Sequence, residues 1–479
     1  MRTDTNYFWQ NLKKFSDQIA CVDTVTGKLV TYSELEANAD SIANKIKLSN
    51  KGIVFLFTSN TYNCIAAYIS ILRSGNAVLL LDEKLNDEIR NNLISIYNPE
   101  FILTSTNALL ENYSLDFNFN TLLFYKRNKF FTEKLLPELA VLLSTSGTTG
   151  SPKLVRLAYK NIQSNAESIV KCLHIDSNER PITTLPLNYS YGLSVVNSHL
   201  HKGATIVLTD KTVFFRDFWD LFNYQKCTSF AGVPYTYTML KRISFDNIVL
   251  PTLKTMTQAG GKLSEEFIRH FSTYALKKNV NFFVMYGQTE ATARISYVPA
   301  ETLREKIGSI GIPIPGGEIK IVNDGIEIIT PTEIGEIVYR GENVMLGYAE
   351  NRKDLSKGDE LGGLLYTGDL GYKDNEGFFY VTGRMKRFIK IFGLRINLDD
   401  IQKMVENHFR ISAACTGNDD LLRILVQTDD LTVEVNVRNE ILKVYKLNFT
   451  TVVVKATNEI PTNSSGKYDY NKINKMFEN

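Results

Sequence analysis

Through the first 300 residues, apolar β-rich segments alternate with amphipathic helical ones, and this succession limits the possible folds more than any other property of the chain. Gly52 to Thr58 reads as a buried strand, Asn63 to Arg73 as a helix, and Ala77 to Leu81 as the next strand. The same alternation recurs at Phe101 to Thr104, at Ala204 to Leu208 after a helix, and at Phe282 to Met285. Strand–helix–strand succession argues for parallel sheets covered by helices, and a chain this long has room for more than one. After about residue 310 the pattern changes to short strands and turns: Gly317 to Val322, Gly335 to Arg340 and Gly377 to Thr382. That pattern predicts a small antiparallel or barrel-like unit. A basic, glycine-punctuated stretch, Gly383 to Arg395, leads into a tail with a helix at Leu398 to Phe409 and strands at Leu422 to Thr428 and Phe449 to Val454. The expected protein is α/β. A large N-terminal domain, 1–384, holds helix-covered, mostly parallel sheets plus a small β-barrel-like unit, and a small α+β C-terminal domain covers 385–479.

Composition excludes several function classes. With 44% hydrophobic and 22% charged residues the chain is ordinary for a globular protein. A formal charge of +2 gives no electrostatic case for a nucleic acid or membrane partner. The first ten residues lack the apolar core of a signal peptide, and no apolar run is long enough for stable membrane insertion. Cys21, Cys64, Cys172, Cys227 and Cys415 are scattered and form no CxxC pair, which reads as reduced thiols in a cytoplasmic protein. His199 and His201 lie two apart in an apolar stretch, a spacing that suits packing better than zinc.

The segment Leu143-Ser-Thr-Ser-Gly-Thr-Thr-Gly-Ser-Pro-Lys153 carries the first chemical signal. Glycines let backbone N–H groups curl around an anion, hydroxyls add neutral donors, and lysine adds a point charge. The spacing is not that of a Walker P-loop, whose lysine follows its second glycine directly; here Ser151 and Pro152 intervene before Lys153. Alone, the segment is equally a polar surface loop.

Other motifs stand in a fixed order around it. Tyr286-Gly-Gln-Thr-Glu290 follows an apolar strand, at the carboxyl end where open α/β sheets hold ligands. Tyr366-Thr-Gly-Asp-Leu370, Gly383-Arg-Met-Lys-Arg-Phe-Ile-Lys390 and Ser464-Ser-Gly-Lys467 come later, with weaker early matches at Thr31 to Leu35 and Ile71 to Leu79. In order and separation this set resembles the acyl-adenylate-forming (AMP-binding) superfamily: acyl-CoA synthetases, adenylation domains of peptide synthetases, and luciferases. The resemblance covers essentially the whole chain and is nearest to freestanding bacterial acyl-CoA and acyl-carrier-protein ligases.

The resemblance implies a two-step reaction. A carboxylate attacks the α-phosphorus of ATP, expelling pyrophosphate, and a phosphopantetheine thiol of CoA or an acyl carrier protein then takes the acyl group. Both first-step reactants are anionic, so catalysis is mainly charge neutralisation and in-line positioning. By resemblance, Thr145, Ser146, Gly147, Thr148, Thr149, Gly150 and Lys153 hold the β- and γ-phosphates. Glu290 binds Mg²⁺ and Thr289 contacts the α-phosphate. Ala259, Gly260 and Gly261 form a wall on one face of adenine, and Tyr286, followed by Gly287 and Gln288, covers the other. Asp369 accepts the ribose hydroxyls and Arg384 contacts the ribose.

Lys467 is implied to bridge the attacking carboxylate and the α-phosphate when the mobile tail closes; losing such a donor costs roughly a hundredfold or more in rate. For thioester formation the tail is implied to rotate about Lys386. Lys390 and Gly393 then face the first domain, Gly393 leaves passage for the phosphopantetheine arm, and Arg395 reaches the phosphate.

Each motif taken singly has a plainer reading. Asp369 reads as a turn residue, Glu290 as a cap on a following helix, and the cluster of Arg384, Lys386, Arg387 and Lys390 as a solvated face. Three departures from the family pattern stand out: Leu154 where glycine is common after the loop lysine, Arg387 where an acidic or polar residue is frequent, and a short tail between Cys415 and Thr451.

The acyl pocket is expected from Leu185 to Leu193, with Tyr189 and Tyr191, from Ala231 to Pro234, with Gly232 and Val233, and from the segment around Ala259. No acid occurs from Leu185 to Leu200, where amino-acid-activating relatives place an aspartate for the substrate ammonium. An unpaired buried ammonium is costly, so the expectation is a fatty or hydroxy acid rather than an α-amino acid. An amino-acid-activating enzyme that loads a carrier protein is the alternative, and a non-catalytic nucleotide-binding relative is the alternative from a different class.

Overall fold

A computed structural model describes residues 7–107, 110–129, 133–144, 153–385, 387–391, 394–418, 421–445, 447–463 and 467–478. The chain divides into two compact units, Met1–Ile319 with Tyr339–Leu365, and Lys320–Val338 with Tyr366–Asn479.

The first unit contains two large mixed sheets. In one, strands Ile53–Thr58, Ala77–Asp82, Phe101–Thr104 and Leu139–Ser144 run parallel. Every residue of Ile53–Thr58 is buried, because helices and neighbouring strands leave neither face to solvent. Antiparallel strands finish both edges: Leu122–Arg127 and Tyr113–Phe119 at one, Leu154–Ala158 and Gly347–Ala349 at the other. The second sheet has a parallel centre of Ile19–Asp23, Ile206–Leu208, Pro181–Ile182, Ser229–Gly232, Thr255–Gln258 and Asn281–Tyr286.

Local signals set the helix ends. Helix Tyr32–Lys45 begins with a capping box in which the Thr31 hydroxyl accepts from Glu34 N and the Glu34 carboxylate accepts from Thr31 N. The early Thr31 to Leu35 motif therefore has a helix-starting role. Helix Tyr62–Ser74 is almost wholly buried and stops at Gly75, whose φ of 82° suits glycine.

In the second unit the region expected to be barrel-like is a five-stranded sheet with two edges, ordered Ile326–Glu327, Glu318–Asn323, Gly335–Arg340, Leu364–Lys373, Phe379–Arg384. A hairpin, Phe388–Ile391 with Leu394–Asn397, precedes helix Leu398–Phe409. A three-stranded sheet follows, Ala413–Asn418, Leu421–Gln427 and Val452–Thr457, packed through Ile401, Val405, Ile424, Val437 and Ile441. The tail holds a second long helix, Thr432–Tyr445, which the strand-rich reading missed. The strand expected at Phe449 to Val454 starts later, at Val452, after a 3-10 turn. Among the described residues no helix is long and apolar enough to cross a membrane.

Candidate active site

The hydroxyl- and glycine-rich loop joins two antiparallel strands, Leu139–Ser144 and Leu154–Ala158, with Ser144 opposite Leu154. Residues 145–152, and with them Thr145, Ser146, Gly147, Thr148, Thr149 and Gly150, lie outside the described residues. A Walker loop runs from a strand directly into a helix. Here a strand comes first, and helix Tyr159–Leu173 follows it. That strand escaped the sequence reading because it is short and carries Arg156 at its centre. Arg156 is fully buried, ion-paired with Glu360 at 2.5 Å, and donates to Tyr348 O at 3.1 Å.

Strand pairing assembles the next layer. Gly347–Ala349 lies against Leu154–Ala158 with Tyr348 opposite Val155. Lys153 Nζ sits 3.7 Å from the centroid of the Tyr348 ring, a cation–π contact. The Tyr348 hydroxyl in turn donates to Glu290 Oε1 at 2.9 Å. Burial, followed by the Glu290 carboxylate, holds the phenol well above its usual pKa, so it remains a donor. Glu290 lies in a 3-10 turn of three residues, Thr289–Ala291, and bonds Tyr348 rather than capping a helix. Thr289 Oγ1 is 3.3 Å from Ser190 Oγ.

The segment after Tyr286 is held from several directions. A side chain at Gly287 would run into the Ala293 carbonyl. Thr292 has φ 64°, a conformation rare for a β-branched residue. Its hydroxyl donates to Asn343 O at 2.7 Å. Asn343 Nδ2 donates to Ala291 O and Arg294 O, both at 2.8 Å, and Asn343 Oδ1 accepts from Tyr339 at 2.8 Å. Gln288 Nε2 is buried with no hydrogen-bond partner among the described residues.

The three segments expected to form an acyl pocket meet. Leu185, Tyr191, Ala231, Val233 and Ala259 share one apolar cluster, with Tyr189 at its margin. The Tyr189 and Tyr191 rings stand edge to face, 6.3 Å apart. Gly260, at φ 85°, approaches Tyr189 so closely that a Cβ would collide with the phenol oxygen, and Gly261 packs on Pro234. A side chain at Gly232 would meet the Tyr237 ring. Tyr191 hydrogen-bonds Thr257 Oγ1 at 2.8 Å. Arg294, which the sequence reading overlooked, is 3% exposed and lies with its guanidinium 4.0 Å over the Tyr191 ring. A single arginine in the run Ala291-Thr-Ala-Arg-Ile was the available signal.

The second unit holds the remaining candidates. Asp369 and Arg384 are register partners on adjacent strands, so Asp369 belongs to a strand rather than a turn. The nearly buried Asp369 carboxylate accepts from Arg384 Nε at 2.8 Å, leaving much of the arginine exposed. Arg387 is a structural residue of the tail: it pairs with Asp399 at 2.9 Å and donates to Cys415 O at 2.6 Å and to the Tyr470 hydroxyl at 2.5 Å. Lys386 and Gly393 lie outside the described residues, whereas Lys390 and Arg395 are register partners in the hairpin. Lys467 N donates to Asn463 Oδ1 at 3.0 Å, and Asn463 N donates to Lys467 O at 2.8 Å.

Against protein families, the model of the AMP-binding enzymes matches residues 8–349. The chain belongs to the AMP-binding enzymes. As a member it is 28% identical over 420 residues to the 2-succinylbenzoate–CoA ligase of Bacillus subtilis (strain 168), covering 85% of this chain and 84% of that protein. It is also 29% identical over 286 residues to a probable 4-coumarate–CoA ligase 2 of Dictyostelium discoideum, covering 59% of this chain and 51% of the relative. In structure it is similar to the Bacillus subtilis O-succinylbenzoate coenzyme A synthetase (MenE) in complex with AMP, with TM-score 0.76, 24% identity and 98% coverage of both chains. It is likewise similar to ATP-bound MatB from Rhodopseudomonas palustris, with TM-score 0.79, 20% identity and 99% coverage of both. At those identities the structural likenesses establish the shared fold. The region matched by the AMP-binding enzyme model contains Lys153, Glu290, Arg294 and Tyr348, while Asp369, Arg384 and Lys467 lie beyond it.

Proposed function

We propose that this AMP-binding enzyme is an acid–thiol ligase that activates a carboxylic acid with ATP and passes the acyl group to CoA. The observation carrying this reading is the convergence of Lys153, Tyr348 and Glu290 beside the hairpin that bears the phosphate loop. The CoA ligases among its relatives support CoA as the acceptor.

In this reading an oxygen of the acid attacks the α-phosphorus and the bond to pyrophosphate breaks. The thiol then attacks the acyl carbon and AMP leaves. Lys153 and the loop residues 145–150 offset the charge of the departing pyrophosphate. Thr289 and Ser190 offer hydroxyl donors toward the α-phosphate, and Tyr348 fixes the orientation of the Glu290 carboxylate. The orphaned Gln288 Nε2 is a donor left for a nucleotide. Among the described residues no group of three His, Cys, Asp or Glu side chains could hold a metal. A lone Glu290 fits Mg²⁺, which binds through one or two carboxylates and the substrate's phosphates. When bound, Mg²⁺ neutralises phosphate charge.

Ala259, Gly260, Gly261 and Tyr286 are assigned to adenine, and Asp369 and Arg384 to ribose. Lys467 is assigned to the transition state of adenylation. A domain boundary at 384/385, with Lys386 as hinge, would allow Lys390, Gly393 and Arg395 to serve thioester formation.

An α-amino acid is disfavoured on two grounds: the pocket segment offers no acid, and buried Arg294 would repel an ammonium group.

Acid-dependent ATP–pyrophosphate exchange over a panel of carboxylic acids tests the first step. Thioester formation with CoA against holo acyl carrier protein tests the second. Exchange with at least one non-amino acid, and a thioester to CoA, are the expected results. Exchange with none of the acids would overturn the adenylation reading, and a thioester on carrier protein alone would reassign the acceptor.

A further inference from the structure

A narrow cleft lies under helix Ser190–Lys202, against the parallel strands of the second sheet. Its wall includes Ala231, from the acyl-pocket cluster, together with Thr257, Ser194, Ser198, His199 and Arg294. The wall also carries Ser229, Thr255 and Glu179, and the Glu179 carboxylate is engaged elsewhere, accepting from the Thr228 hydroxyl and lying 3.9 Å from Lys254 Nζ.

Among the described residues no carboxylate forms an ion pair with Arg294. Its recorded side-chain partners are the Tyr191 ring face and Met285 Sδ, which accepts from Nε at 3.3 Å. Burial lowers its pKa, opposed only by Tyr191, Tyr189 and Cys172, none of which is an acid at neutral pH. Contrast the other deeply buried arginines: Arg156 is paired with Glu360 and Arg352 with Glu100, each at 2.5 Å. A buried guanidinium with five N–H donors and no anion is costly unless something supplies one. The backbone clamp by Asn343 and the strained Thr292 fix the residue that presents this charge. Cys172 and Tyr191 are held protonated by burial and cannot serve as the counter-ion.

Resting on the adenylation reading, we propose that Arg294 selects acids bearing a second anionic group, so that the substrate is a dicarboxylic acid whose non-reacting carboxylate pairs with the guanidinium in this cleft. Planar, bidentate recognition of a carboxylate suits arginine better than lysine. The neutral fatty or hydroxy acid expected from sequence would leave the charge buried and unpaired.

The test uses the whole enzyme and acid pairs matched in length, hexanoate with adipate and benzoate with phthalate, plus 2-succinylbenzoate. Two readouts are taken for wild type and for Arg294→Met and Arg294→Lys: the thermal shift produced by each acid, and pyrophosphate exchange. Wild type should be stabilised by at least one diacid and not by its monoacid partner, and should use that diacid at least about tenfold better in kcat/KM. Arg294→Met should lose roughly a hundredfold on the diacid while monoacid use holds or rises, and Arg294→Lys should recover part of the loss. Equal or better use of monoacids by wild type would overturn the proposal and leave adenylation standing. So would equal losses on both acids of a pair in Arg294→Met. Diacid-specific thermal shifts with no exchange on any acid would instead uphold Arg294 recognition and sink adenylation.

Discussion

The Tyr348 hydroxyl donates to Glu290 Oε1 at 2.9 Å while the same ring lies under Lys153 Nζ. One side chain thus orients a carboxylate with its edge and a cation with its face. If Glu290 holds Mg²⁺ and Lys153 the leaving phosphates, Tyr348 keeps these two opposite charges at a set separation. Neither has to be held by the other.

Tyr348→Phe tests this arrangement. The ring and its cation–π contact remain, and only the hydrogen bond to a charged acceptor is lost, an interaction of about 1.5–3 kcal/mol. Pyrophosphate exchange should fall about tenfold or more, with a higher Mg²⁺ requirement and little change in thermal stability. An unchanged Mg²⁺ titration would remove Tyr348 from the metal's surroundings.

Lys467→Ala should reduce acid-dependent exchange by roughly a hundredfold or more. Nucleotide affinity should hold, because Asp369, Glu290 and Lys153 are untouched. The contacts of Lys467 with Asn463 run through its own N–H and carbonyl, which alanine keeps, so the variant should melt like wild type. Equal exchange in variant and wild type would exclude the delivered-lysine mechanism.

Arg352→Met tests a support of the same region. Arg352 starts a 3-10 turn just after the strand of Tyr348, pairs with Glu100 at 2.5 Å, and donates to Tyr97 O at 3.0 Å and Asn98 O at 2.8 Å. Removing one partner of a buried pair costs about 3–5 kcal/mol. Denaturant unfolding should show that loss, and activity per folded molecule should change far less.

His199 predicts an acid-side loss of stability. It is buried on helix Ser190–Lys202 with Nδ1 donating to Val195 O at 2.7 Å, and burial lowers its pKa to about 4. Between about pH 6.5 and 4 the unfolded chain binds a proton there that the folded chain does not. The contribution is therefore fully present above about pH 6.5, and up to roughly 3 kcal/mol of it is lost as pH falls toward 4. His201, whose pKa is also lowered by burial, adds to the same slope. His199→Phe should flatten the stability–pH curve in that window without abolishing it; a curve identical to wild type would contradict the assignment.

Much of the architecture was legible because its signals are local. Buried parallel strands such as Ile53–Thr58 must be apolar throughout, so they announce themselves as runs. Helix Leu398–Phe409 shows its stripe, and the motif order identifies the AMP-binding enzymes. Strand Leu154–Ala158 was hidden, since a fully buried arginine at its centre reads as an exposed residue until Glu360 appears beside it. Asp369 looked like a turn residue because Gly368, at φ 71°, bends the chain just before it within a longer strand.

The sequence by itself determined the alternation of strand and helix, the motif residues and their order, and hence the family. Only the tertiary structure decided that Tyr348 reaches Glu290 across 58 residues of chain, and that Arg294 lies buried against Tyr191 with no ion-paired acid among the described residues. Those facts depend on which strands pair and which side chains a wall encloses. Charge and hydroxyl chemistry are written in one residue at a time, whereas partners and burial exist only once distant segments meet.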